Sequence, residues 1–122
     1  MASLDSAHLT SAERQALGRF VELLVTHFGS DLHGVWLYGS RARGEGNPAD
    51  SDVDVLVITS GGRADRERVR KLKWQVYAEI EEAMMQISSQ VHSPGWVKDR
   101  RAIEAFFIQE VDRDKVVLQG GP

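Results

Sequence analysis

Apolar residues return every three or four positions from Leu17 through Phe20, Val21 and Leu24 to Phe28, the period of one face of an α-helix. Thr10 stands before this stripe with Glu13 three residues on, a pairing that satisfies free N–H groups at a helix start, so a helix is expected from there to near Gly29. His33–Tyr38 is a compact apolar and aromatic run that stops at Gly39-Ser40, and it predicts a short buried strand followed by a tight turn. Ser40–Gly44 is expected to open a short helix. Gly44–Ser51 is expected to be a loop, because Pro48 has no N–H to donate and Gly46 is entropically costly to order.

From Asp52 to Thr59 the period changes to two. Val53, Val55 and Val57 fall on one side of a strand, and Asp52, Asp54, Leu56 and Ile58 on the other. After the break at Ser60-Gly61-Gly62, Val69, Leu72, Val76, Ile80 and Ala83 mark a long helix whose stripe should lie on the sheet. Met85–Val91 predicts a third strand closed by Pro94-Gly95. Ile103, Phe106, Phe107 and Val111 predict a last helix before a short Val116–Leu118 strand. Trp36 and Trp74 fit core positions, Trp96 suits packing at the sheet or a place near a nucleotide base, and Met84-Met85 suits gap filling. The alternation implies an α/β (α+β) fold: a small mixed β-sheet packed with helices, as one domain over residues 1–122, with 1–9 and 119–122 as flexible ends.

Composition narrows the chemistry. The 122 residues, 42% hydrophobic, suffice for one core. A net charge of −3 offers no overall grip on nucleic acid or an anionic membrane, and neither is expected as a partner. The absence of cysteine excludes disulfides, thiolate metal sites and a cysteine nucleophile, so any metal is held by oxygen or imidazole. Met1–Thr10 has no basic start or apolar run, and no stretch approaches the ~20 apolar residues that span a bilayer; a cytoplasmic location is expected. Arg63, Arg66, Arg68, Arg70, Lys71 and Lys73 cluster at the start of the long helix, where contact with phosphate or nucleic acid is the alternative, but acids on or near the same helix favour a solvated charged face. His8, His27 and His33 have no metal-ligand spacing.

The chemistry concentrates in Tyr38-Gly39-Ser40-Arg41-Ala42-Arg43-Gly44 and Ser51-Asp52-Val53-Asp54. Gly39 lets the main chain approach a ligand, and Ser40 adds a hydroxyl beside N–H groups at a helix start, a seat for a phosphate tail. Asp52 and Asp54, two residues apart on a strand, share a face, and their mutual repulsion calls for a cation; carboxylates suit Mg²⁺. Phosphoryl and nucleotidyl transfer require both kinds of group.

Gly39-Ser40, eleven intervening residues and then Asp52-Val53-Asp54 resembles the signature of the DNA polymerase beta type nucleotidyltransferase superfamily, and in particular its minimal bacterial and archaeal members. Arg41-Ala42-Arg43-Gly44-Glu45 and Ser51 are similar too. The resemblance is strongest over Val35–Ile58 and extends weakly to Phe106–Leu118. It implies the polymerase beta-like fold, with Gly39 and Ser40 binding the triphosphate of ATP, Asp52 and Asp54 holding one or two Mg²⁺ ions as the catalytic pair, and Arg43, with Arg41, contacting phosphate. The family commonly adds a third carboxylate on the next strand, where Met85–His92 has none. Ser88, Gln90 and His92 share one parity there, and His92 is a candidate substitute base, against a surface or packing histidine; the missing acid otherwise means that two acids suffice, that a partner supplies the base, or that the fold binds nucleotide without turning it over.

Minimal members are often encoded beside a HEPN-domain protein and act as antitoxins by adding AMP to a tyrosine of that partner. The resemblance thus implies transfer of AMP from ATP to a hydroxyl of a HEPN-type toxin, with oligomer formation open. The alternatives are a non-catalytic nucleotide-binding or partner-masking module and a small-molecule, antibiotic adenylyltransferase.

Overall fold

The computed structural model describes residues 7–45, 51–81 and 87–122. Helix α1 runs over Ser11–Phe28, strand β1 over Leu32–Tyr38, the one-turn helix α2 over Gly39–Ala42 and strand β2 over Val53–Thr59. Helix α3 spans Arg66–Glu79, β3 Ile87–His92, α4 Pro94–Ala102, α5 Phe106–Asp114 and β4 Val116–Gly120. The sheet order is β3-β2-β1-β4, with β1 antiparallel to both β2 and β4 and β2 parallel to β3. The expected mixed sheet with packed helices is therefore present.

The alternation along β2 divides the core. Val53, Val55 and Val57 join Phe20 and Leu24 of α1 and Val69 and Val76 of α3 on one face. Leu56 and Ile58 join Trp36, Val97 of α4, and Ile108 and Val111 of α5 on the other. Each such side chain contributes about 1.5–3 kcal/mol by leaving water, so both helix pairs are fixed to the sheet. This leaves the end of the sheet at Tyr38, Asp54 and Ser88, which are register partners, as the place where polar groups collect.

Thr10 caps α1 as expected: its hydroxyl accepts from the Glu13 N–H at 3.1 Å, and Glu13 Oε1 accepts from the Thr10 N–H at 2.8 Å. Four expectations need correction. The region after β3 forms two helices, because Ser93 caps α4 through the Trp96 N–H and Pro94 occupies its first turn, where a missing N–H costs nothing. Trp74 is 45% exposed, since it projects from α3 away from the Val69 and Val76 stripe. The chain end expected to be loose from 119 is tied down: β4 continues to Gly120, and the Gly121 carbonyl accepts from Trp36 Nε1 at 2.8 Å. The long helix ends at Glu79, with buried Ile80 as its cap. Ala83, Met84 and Met85 lie outside the described residues.

Candidate functional site

β1 turns directly into α2, and the turn demands glycine. Gly39 has φ of 78°, and a Cβ placed on it would lie 2.6 Å from Asp54 Oδ2. The main chain at Gly39 thus rests on the carboxyl of Asp54, although fourteen residues lie between them in sequence. Gly39→Ala is expected to cost about 1–3 kcal/mol of stability by forcing a side chain into the positive-φ region. It should also weaken stabilisation by divalent ions, since the new methyl must displace the Asp54 carboxyl. Thermal melts with and without Mg²⁺ measure both effects.

Asp52 is exposed at the entry to β2, and Asp54 is half-buried two residues on. Burial pushes the Asp54 carboxyl above its ordinary range, the negative charge of Asp52 adds to the push, and the positive charge of Arg41 partly offsets both. Neither acid takes a hydrogen bond or ion pair among the described residues. Two neighbouring carboxylates without donors, one of them reluctant to ionise, form an oxygen donor set that a hard divalent cation fits. Among the described residues no third His, Cys, Asp or Glu joins them in a metal-binding group.

Arg41, expected on phosphate, goes elsewhere. It is fully buried, with Nη1 and Nη2 on the two Glu13 carboxylate oxygens at 2.6 and 2.8 Å. Its remaining donors go to Ser51 Oγ, the Ser51 carbonyl and the His8 carbonyl. All five N–H groups are spent, so none is left for a ligand. The role it acquires is to position: one guanidinium ties α1, the α2 turn and the residue before Asp52 together. Burial alone would raise the Glu13 pKa, but the bonds from Arg41 and Thr10 outweigh it and hold that carboxyl below its usual range.

Arg43 remains accessible, 34% exposed, in loose pairs with Glu45 at 3.5 Å and Asp114 at 3.6 Å. Such solvent-screened pairs hold weakly and yield to a polyanion.

His92 shares the Asp54 side of the sheet, as its parity requires, but not its level. It is the register partner of Ile58, four residues and about 13 Å along the strand from Asp54 at ~3.3 Å per residue. Its ring stacks on Trp96 with centroids 3.6 Å apart, and Nε2 meets Gln90 Oε1 at 3.0 Å. His92 is therefore not placed to act as base at the acid pair. The residue opposite Asp54 on β3 is Ser88.

Two further side chains border the site. Tyr38 pairs across the strands with Asp54 and takes a bond from Gln90 Nε2 at 3.2 Å, and burial followed by the Asp54 charge raises its pKa. Lys73 of α3 donates to Ser89 Oγ at 3.0 Å; burial lowers its pKa, Arg70 lowers it further, and the Asp52 charge pulls the other way. The sequence placed Tyr38 at the end of a strand but not beside Asp54, and Lys73 was indistinguishable from its solvated neighbours.

Residues 17–118 match the family described as nucleotidyltransferase domain. A solved structure from Sulfolobus solfataricus, described as "a putative nucleotidyltransferase", is 21% identical over 92% of this chain and 89% of that one, with a TM-score of 0.47. No curated protein matches the chain.

Proposed function

Because the chain belongs to the nucleotidyltransferase domain family, we propose that it transfers AMP from ATP to a hydroxyl of a protein acceptor, with Asp52 and Asp54 holding one or two Mg²⁺ ions. The observation that carries this reading is the contact between the Gly39 turn and Asp54, which joins a phosphate seat to a cation seat at one end of the sheet. Bound Mg²⁺ would supply neutralisation of charge on the attacking and leaving oxygens. The Gly39-Ser40 main chain and the Ser40 hydroxyl receive the triphosphate tail, and Arg43 exchanges its loose carboxylate partners for phosphate. The acceptor oxygen forms a bond to the α-phosphorus as the bond from that phosphorus to the α,β-bridging oxygen breaks. Pyrophosphate leaves, and the acceptor proton passes to solvent or to a base of the acceptor protein, since Ser88, the residue opposite Asp54 on β3, is not an acid.

The acceptor in this reading is a tyrosine of a HEPN-type toxin, which makes the chain an antitoxin in a cytoplasmic pair. Incubation of the chain with α-labelled ATP, Mg²⁺ and the protein encoded beside it should place label on that neighbour. Label on an aminoglycoside instead would redirect the activity to small molecules. The missing third acid favours one second reading, a nucleotide-binding module that masks its partner without turnover. It requires complex formation with no label, so the same experiment separates the two.

A further inference from the structure

β3 is the outer strand of the sheet, paired only with β2 among the described strands. Along its open edge lies a groove of about 460 Å³ walled on one side by Arg63, Arg66, Arg70 and Lys73, with the acid Glu67 among them, and on the other by Ser89 and Val91. It continues into a hollow of about 210 Å³ that the same Arg63 and Arg66 share with Gln90 and His92. Arg70 is engaged by Glu67 at 2.7 Å and Lys73 by Ser89. Arg63 and Arg66 are exposed and have no ion-pair partner among the described residues. The sequence pattern suggested an evenly solvated helix face, but the fold segregates these two cations beside the strand edge.

An outer strand carries unpaired N–H and C=O groups that an added extended chain can satisfy, and guanidinium groups alongside select carboxylates on that chain. Single-stranded nucleic acid fits the groove less well, because it is held by aromatic faces. The ring that lines the hollow, His92, already has Trp96 stacked upon it. The groove adjoins the acid pair along the strand: Ser89 lines it, and Ser88, the next residue back on the opposite face of β3, is the register partner of Asp54. Side chains of a strand laid beyond β3 alternate between its two faces, so carboxylates on one face can meet the arginines while a tyrosine on the other reaches over Ser88, the described residue between it and Asp54.

We propose that the acceptor hydroxyl is carried on an acidic, extended segment of a partner protein that adds to the outer edge of β3, with its carboxylates on Arg63 and Arg66. The inference rests on the transfer reading above, and binding without nucleotide separates the two. The probe is a fluorescent random copolymer of glutamate and tyrosine, followed by anisotropy, with hydrogen exchange read at Ser89–Val91. The copolymer is expected to bind, to lose affinity with added salt, and to slow exchange along β3. Arg63→Glu with Arg66→Glu should weaken binding roughly ten-fold or more, because rim charges set recognition of a charged partner. Arg63→Gln with Arg66→Gln should fall between, which guards against a folding defect in the charge-reversed chain.

Asp54→Asn should bind the copolymer like the parent. Docking that persists while the parent transfers no label would refute the transfer reading and leave the edge assignment standing. Copolymer affinity that neither double substitution lowers, or exchange along β3 that does not slow, overturns the proposal. So does tighter binding of single-stranded RNA through the same arginines, which would assign the groove to nucleic acid.

Discussion

Asp54→Asn should lower nucleotidyl transfer by about 10³-fold or more while leaving the fold at least as stable as the parent. In the proposed mechanism Asp54 is a charged metal ligand; removing it then forfeits several kcal/mol of transition-state charge stabilisation, and each ~1.4 kcal/mol is a factor of ten in rate. The stability half follows from the raised pKa of Asp54, which burial causes first and Asp52 second. A carboxyl with a folded-state pKa above its ordinary 3.8 binds its proton more tightly in the folded chain than in the unfolded one. Its favourable contribution is complete below 3.8 and disappears as pH rises through the folded value, so at neutral pH the ionised group opposes folding. Asparagine keeps the shape without the charge. The variant should therefore melt at or above the parent temperature at pH 7, with the gap closing in acid. If the folded acid pair holds the ion, as proposed, Mg²⁺ should raise the parent melting temperature more than that of the variant. Transfer at the parental rate would remove Asp54 from the chemistry, and a drop of several kcal/mol would make it a structural residue.

The site was legible to different depths. The acid pair announced itself because a strand has a period of two, so Asp52 and Asp54 had to share a side while the three valines faced the α1 and α3 core. Period fixes side but not level, and His92 shows the difference: its parity agreed with Asp54, yet the parallel register sets it opposite Ile58. Arg41 and Arg43 looked alike in sequence because nothing local says which guanidinium turns inward. A clue lay at a distance, in Glu13. That acid is four residues before Leu17 on the apolar stripe of α1, a position that buries it and calls for a cation. Ser93-Pro94 was a helix start hidden behind the use of Pro94-Gly95 as a strand stop. The basic edge was beyond any one-dimensional reading, because it needs α3 laid beside an outer strand.

Arg41→Met should cost about 3–5 kcal/mol, because it strands the Glu13 carboxylate, 2% exposed, without its bidentate partner. Against a total stability of about 5–15 kcal/mol for a domain of this kind, that is a large fraction, and the melting temperature should fall by roughly 10–20 °C. Adding Glu13→Met should restore much of the loss, since a well-packed apolar pair often replaces a buried ion pair at little cost. The interaction term of this double-mutant cycle, from urea unfolding of the four chains, measures the coupling. Acid should reproduce the single variant in part: Glu13 titrates below its ordinary 4.5 in the folded chain, so the stability it lends is present above that value and is lost as pH falls through the depressed one. Activity separates positioning from binding. If Arg41 only holds Ser51 and the α2 turn in place, the double variant should keep ATP affinity to the extent that it keeps its fold. Unchanged stability in Arg41→Met together with a sharp loss of ATP binding would return Arg41 to the phosphates.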